Sequence, residues 1–327
     1  MTKSKKSSSL MAYAGTFGAL LILCVVLAIA SPNFLKFSNL MSVLKQTPFN
    51  ALVSTGMLLC LITAGIDLSV GANATFCACL AGMLVQNGTK SSAVLLVVAI
   101  VAGTLIGWIN GMMLTRLHLP HPFVSTLGMK NVLWGAALIV TGSQMVSFSG
   151  YEGVMWLGSA TVGGFPVSFI VVIIIYIVMH ILLTRTALGR SIFCVGGNPE
   201  AARLSGIHSD NVLTFCYVVS GFCAALAGII TVGRTSICNG TDAINPYDTD
   251  AIAACIIGGA SFMGGKGTML GTMLGALIIG TLRNGFTLMA ASSAIQNIVL
   301  GLVIIVAVFI DVTRERLEAK ARRLAAK

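Results

Sequence analysis

Apolar stretches of about twenty residues recur along almost the whole chain, and this repetition constrains the fold more than any other feature. The clearest lie at about 11–31, 92–115, 165–183, 212–232, 269–290 and 294–311. A membrane-spanning helix needs ~20 mainly apolar residues, so each is long enough to cross. Two further spans fit inside 48–87, which is interrupted at Gly65-Ile66-Asp67-Leu68-Ser69-Val70-Gly71. One more fits about 121–141 and another about 249–264, which makes ten candidates. Charged residues make up only 9% of the 327 positions, against about 25% in soluble domains. So few charges do not cover a water-facing surface, and disorder requires far lower hydrophobicity. The expected fold is all-α: a single polytopic helical membrane domain over 1–327 with about ten transmembrane helices.

The formal net charge is +10. The basic residues are scattered or terminal and not interleaved with aromatics, so no nucleic-acid partner is expected. Their placement orients the chain. With Lys3, Lys5 and Lys6 inside, fifteen of the twenty Lys and Arg fall in cytoplasmic segments, Lys130 among them. Lys36, Lys45, Lys90 and Arg234 fall outside, and Arg283 lies within a span. The positive-inside rule expects that bias. Both termini are therefore read as cytoplasmic, as an N-terminal segment 1–10 and a tail 312–327. The first apolar run, Leu10–Ala30, exceeds the ~7–15 residues of a signal-peptide core and reads as a retained span.

Other chemistries find little support. Gly264-Gly265-Lys266-Gly267-Thr268 lacks the Gly-x4-Gly-Lys-Ser/Thr spacing of a phosphate-binding loop. There is no HExxH and no Gly-x-Ser-x-Gly. The nine cysteines are irregularly spaced, mostly in apolar runs, and read as packing residues. No catalytic residue, metal or cofactor is expected. Gly103, Gly107 and Gly111, and the pair Gly271 and Gly275, recur every four residues, which suits close helix packing within one subunit.

Three groups of residues are candidates for function. Asp67 is the acid placed deepest in the apolar sequence. Either Asp67 or Ser69 is expected to cap the helix that starts near Val70, with Gly71 and Asn73 beside the same chain break. The outer loop from Arg234 through Asp242 and Asp248 to Asp250 carries more charge than any other outer segment, and Arg234, Asp242 and Asp248 are read as docking charges for an external protein. The cytoplasmic loop 184–211 is the third. Asn198 is a favourable N-cap, Pro199 suits the first helical position, and Gly206 ends the helix. Glu200 and Arg203, three apart, share a side, and Leu204 offers an apolar contact. A helix of about two turns is marginal alone in water, so it is expected to dock on a partner.

Four ordered motifs carry a family resemblance. They are Ala64-Gly65-Ile66-Asp67-Leu68-Ser69-Val70-Gly71; Leu119-Pro120 with Phe123-Val124-Ser125-Thr126-Leu127-Gly128; Leu188-Gly189-Arg190 with Gly196-Gly197-Asn198-Pro199-Glu200-Ala201-Ala202-Arg203-Leu204-Ser205-Gly206-Ile207; and Gly258-Gly259-Ala260-Ser261-Phe262-Met263-Gly264-Gly265-Lys266-Gly267-Thr268. From about Ser31 to Asp311 the chain resembles the permease subunit of ribose-type ABC sugar importers. The resemblance implies a pathway for a pentose or hexose in a bacterial inner membrane; the alternatives are the permease of a related ABC importer for nucleosides or other small polar solutes, and a gradient-driven secondary transporter. The resemblance implies a cytoplasmic ATPase subunit, an extracytoplasmic sugar-binding protein and a second permease copy as partners. It also makes 184–211 the loop that couples to the ATPase, with Gly189, Arg190, Gly197, Asn198, Pro199, Glu200, Ala201, Arg203, Leu204 and Gly206 as its candidate residues. The chain departs from the pattern at His121-Pro122 and at Arg283.

Overall fold

The structure is a computed structural model. It describes the backbone of residues 3–325 apart from 118 and 120, and side chains over 14–309, 312 and 313 with the same two exceptions. Lys3, Lys5, Lys6, His118, Pro120 and the basic residues from Arg314 onward, used above to orient the chain, have side chains outside that description.

The chain runs α1 Lys3–Ala30, α2 Phe37–Ile62, α3 Val70–Gln86, α4 Ser92–Thr115, α5 Pro122–Thr141, β1 Val146–Ser147, α6 Glu152–Ser159, β2 Thr161–Val162, β3 Phe165–Pro166, α7 Val167–Arg185, α8 Ala187–Gly197, α9 Pro199–Leu204, α10 Ser209–Thr235, β4 Ile237–Cys238, a 3-10 turn Gly240–Ile244, α11 Tyr247–Ile257, α12 Met269–Leu288 and α13 Ser293–Ala325. The strands form only two short ribbons, β1 with β4 and β2 with β3, both antiparallel. The helical expectation therefore holds; the α2–α3 and α11–α12 breaks contain glycines, whereas the α12–α13 break at 289–292 has neither Gly nor Pro, and Pro48 lies inside α2.

Among the described residues five helices, α4, α5, α7, α10 and α12, are long and apolar enough to cross a membrane. Their outer faces are what lipid requires. Val97, Val101, Leu105 and Trp108 of α4, Ile174, Ile177 and Ile181 of α7, and Ile298, Leu302, Ile305 and Phe309 of α13 are all exposed. In water such faces would associate; in hydrocarbon they are at home. One expected span is corrected, that at about 249–264. The helix there, α11, has only eleven residues, Tyr247–Ile257, before the chain turns at Gly258 and Gly259. At ~1.5 Å per residue that helix rises about 16 Å, roughly half of a ~30 Å hydrocarbon core.

The core sits where α2 and α10 meet. From Thr47 to Ile62 almost every residue of α2 is buried, and α2 packs against α7, α10, α11 and α12. The glycine stripe of α4 faces α10: a Cβ added at Gly103, Gly107 or Gly111 would strike Gly221, Tyr217 or Thr214 respectively. Gly275 of α12 presses in the same way on Ala254 of α11, and Gly271 on Gly258 just past its end. Both small-residue motifs thus serve packing inside one chain, where backbone approach replaces side-chain burial.

Turns gather at two ends. At one, the Gly265 amide donates to the Ile62 carbonyl at 2.8 Å, and Gly196 lies so close that a Cβ would overlap the same carbonyl. At the other, β1 pairs with β4 and the Tyr151 hydroxyl donates to Thr89 O at 2.7 Å. All nine cysteines are unpaired. Cys238 is in β4 and buried.

Candidate functional site

The break between α2 and α3 is held by a buried polar chain. Asp67, Ser69, Asn110 and Ser220 are each at most 1% exposed. Asp67 Oδ1 accepts from the Ser69 amide at 3.0 Å and from Ser69 Oγ at 2.6 Å. Its Oδ2 accepts from Ser220 Oγ of α10 at 2.7 Å. Ser69 Oγ in turn accepts from Asn110 Nδ2 of α4 at 2.8 Å. Tyr217 Oη donates to Ile66 O at 3.1 Å, while Thr126 Oγ1 donates to Pro122 O at 2.8 Å and lies 3.4 Å from Ile66 O. The expected cap is corrected: Ser69 occupies the N-cap position of α3, but no side chain bonds the first turn. Asp67 instead spans three helices, because both of its oxygens are taken by groups that lipid cannot satisfy. Asn73 Nδ2 donates to Gly103 O at 3.3 Å, and a Cβ on Gly71 would press on Tyr247.

A prediction follows from this count of bonds. Asp67→Asn keeps one acceptor oxygen for Ser69 and faces Ser220 with an amide that its hydroxyl can accept from, so the folded yield should stay near that of the parent. Asp67→Leu strands the Ser69 and Ser220 groups at about 1–3 kcal/mol each. It should lower the melting temperature of detergent-solubilised protein markedly. Equal yields and melting temperatures for the two variants would contradict a bonding role for Asp67.

At the α8–α9 end, the sequence 184–211 is more ordered than a loop. α7 runs to Arg185, and Thr186 caps α8 by accepting from Gly189 N at 3.0 Å. Asn198 caps α9 as expected, Oδ1 accepting from Ala201 N at 3.0 Å. Gly206, at φ +82°, ends it, with the Gly206 amide bonded to Arg203 O and the Ile207 amide to Ala202 O. α10 already begins at Ser209. Arg203 pairs with Glu200 at 2.7 Å, both mostly exposed, and hydrogen bonds from the guanidinium hold the Glu200 carboxyl below its usual range. Leu204 is 77% exposed, while Ala202 is buried. An apolar side chain and an ion pair thus project from a helix whose back is seated on the bundle. Gly196 wedges this assembly against the end of α2, and Gly264 and Gly265 approach Gly196 and Gly197 from the far side.

At the α6 end the charged residues part company. Asp248 and Asp250, in the first turn of α11, are each 4% exposed. Asp248 is bonded by Lys130 Nζ of α5 at 2.9 and 3.0 Å. Asp250 accepts from Arg283 Nε of α12 at 2.7 Å. Lys130 is therefore inside a helix rather than in a cytoplasmic segment, and Asp248 is no rim charge. Sequence reasoning missed these pairs and named Asp67 as the only deep acid. The available signal was two cations within apolar segments and two acids flanking another, since charges in such places usually pair. Arg234 and Asp242 remain exposed. They line a cavity of about 160 Å³ with Phe49, Thr75, Asn239 and Tyr247 among its walls. None of Asp67, Ser69, Gly71 and Asn73 lines it. His121 has a local role: Nδ1 accepts from Phe123 N at 3.3 Å ahead of Pro122 at the start of α5. Among the described residues no cluster of metal-ligating side chains occurs.

Comparison with known proteins places this arrangement. Residues 39–308 match the family model for the branched-chain amino acid transport system permease component. The chain is 37% identical over 299 residues to ribose import permease protein RbsC of Haemophilus influenzae, covering 90% of this chain and 92% of the relative. It is 33% identical over 298 residues to the D-allose transport system permease protein AlsC of Escherichia coli K12, covering 91% and 90%. It is 31% identical over 315 residues to galactose/methyl galactoside import permease protein MglC of the same strain, covering 91% and 93%. No solved structure shows a significant match. On the length of the match and the identity to these relatives, the chain belongs to this family of multi-pass transport permeases.

Proposed function

We propose that the chain is the membrane-spanning subunit of an ATP-binding-cassette importer and forms the pathway for a monosaccharide. The observation that carries this reading is identity above 30%, over about nine tenths of the chain, to permeases of ribose, allose and galactose import. The whole of 1–327 acts as one permease domain in the bacterial inner membrane, with both termini cytoplasmic. ATP hydrolysis belongs to a separate cytoplasmic subunit. That subunit seats on α9 and its flanks, touching Glu200, Arg203 and Leu204, while Gly189, Arg190, Gly197, Asn198, Pro199, Ala201 and Gly206 set the helix in place. An extracytoplasmic sugar-binding protein meets the α6 end, with Arg234 and Asp242 among the receiving charges. Two permease copies make the complex. The break residues Asp67, Ser69, Gly71 and Asn73 hold the bundle about the pathway.

The test is reconstitution of the permease with its ATPase in liposomes. Sugar uptake is expected to require both ATP inside and the loaded binding protein outside, and to persist when proton and sodium gradients are collapsed. Uptake that survives without ATP and vanishes with the gradients would overturn this reading in favour of a secondary carrier, for which the buried pairs of α5, α11 and α12 would be the natural relay.

A further inference from the structure

The cavity at the α6 end lies between α2, α3, α10 and the segment leading into α11. Its walls bring together groups of three kinds. Phe49 and Tyr247 form an aromatic corner, with ring centroids 4.3 Å apart and planes tilted by 52°. Arg234 and Asp242 bring one cation and one anion. Among the described residues neither of them is held in an ion pair, whereas Lys130, Arg283, Asp248 and Asp250 are all committed to partners. Thr75 and Thr231 complete the wall, and each hydroxyl spends its hydrogen on a helix carbonyl, to Gly71 and Ala227 respectively. Their oxygens therefore still accept.

These features define the ligand by its chemistry. Aromatic faces take C–H surface. A carboxylate and hydroxyl oxygens accept from ligand O–H groups, and a guanidinium donates to ligand oxygens. Opposite charges in one small cavity disfavour a net ion: Arg234 would attract an anion that Asp242 repels, and a cation meets the reverse. A net-neutral molecule with an apolar face and a rim of hydroxyls that both donate and accept meets every one of these walls. A monosaccharide ring has that form.

We propose that this cavity is the first sugar subsite of the permease, with Tyr247 and Phe49 taking the C–H face of the ring and Asp242 and Arg234 bonding its hydroxyls. The proposal rests on the sugar-importer reading and adds the residues that receive the cargo. Tyr247 is the first residue of α11, directly before the ion-paired Asp248. A sugar held here touches the one short helix that is anchored from both sides.

The test uses the reconstituted permease–ATPase complex with saturating binding protein and radiolabelled D-ribose and D-galactose. Asp242→Asn and Tyr247→Ala are each expected to lower uptake turnover about tenfold, the effect of one lost ligand bond or stacking face. With the binding protein saturating, weakened docking alone leaves turnover unchanged. Tyr247→Phe is expected to retain most uptake, which separates the aromatic face from misfolding of a residue packed on Gly71. A second arm labels Thr231→Cys with a membrane-impermeant thiol reagent, corrected for the parent chain. D-ribose or D-galactose should slow labelling at least threefold, and an acyclic polyol should not. Unchanged uptake in both variants together with unprotected labelling overturns the subsite. So does an effect confined to the salt dependence of binding-protein stimulation, which would make Arg234 and Asp242 docking charges only. An unmodified complex that imports neither sugar fails the importer reading itself, a result separate from either of these.

Discussion

Arg283→Met is expected to destabilise the folded permease by about 3–5 kcal/mol, the usual effect of removing one partner of a buried pair. Asp250 is 4% exposed and receives its bond from Arg283 Nε at 2.7 Å. Without the guanidinium its carboxylate sits in a low-dielectric site with no cation to offset the desolvation. Lys130→Met should act alike on Asp248, which loses both lysine bonds at once. The informative comparison is the double variant Lys130→Met with Asp248→Leu. Replacing a buried pair by apolar side chains is often neutral, so the double variant should recover most of the stability that Lys130→Met loses. Thermal inactivation in detergent, followed by size-exclusion recovery, measures all of these. A double variant as unstable as Lys130→Met would mean that Asp248 does not depend on Lys130.

Glu200→Lys is expected to leave the fold intact and to abolish the link between ATP hydrolysis and sugar uptake. The Glu200–Arg203 pair is exposed on both sides, so its loss barely touches stability. The substitution nevertheless places a second cation beside Arg203 on the part of the chain proposed to meet the ATPase. Charge reversal at a docking face commonly weakens association at least tenfold. Either co-purification of the ATPase subunit falls by about that factor, or assembly persists and uptake per ATP hydrolysed falls. Normal assembly, hydrolysis and uptake in both Glu200→Lys and Ala201→Asp would remove α9 from the coupling path. Leu204, at 77% exposed, is the apolar counterpart, and Leu204→Asp should act in the same direction.

Apolar length alone located α1, α4, α5, α7, α10, α12 and α13, because lipid demands one physical property over a fixed distance. The same criterion failed at 249–264. Apolar residues there continue past the helix, and only the backbone turn at Gly258 and Gly259 shows that α11 stops after Ile257. At 184–211 the short helix after Asn198 was expected but α8 was not, and Gly196 of α8 lies against the Ile62 carbonyl at the end of α2. Asn198, Pro199 and Gly206 were legible because capping is local: each acts on amides and carbonyls within four residues.

Local chemistry therefore determined this protein's class, the breaks between its helices, the stripes of small residues and the short capped helix that faces solvent. Which charges are buried was decided by tertiary structure. Asp242 and Asp248 stand six positions apart and look alike in sequence, yet one lines an open cavity while the other is enclosed beside Lys130. Arg283, out of place in its motif, gains its purpose from Asp250 on α11. Asp67 looked like a helix cap and proved to be the junction of the α2–α3 break with α4 and α10 through Ser69, Asn110 and Ser220. The physical reason is one of range. Caps and apolar length are set within a few residues, whereas the partner of a buried charge is whatever side chain the folded bundle brings within about 3 Å, from 33 positions away for Arg283 and 118 for Lys130.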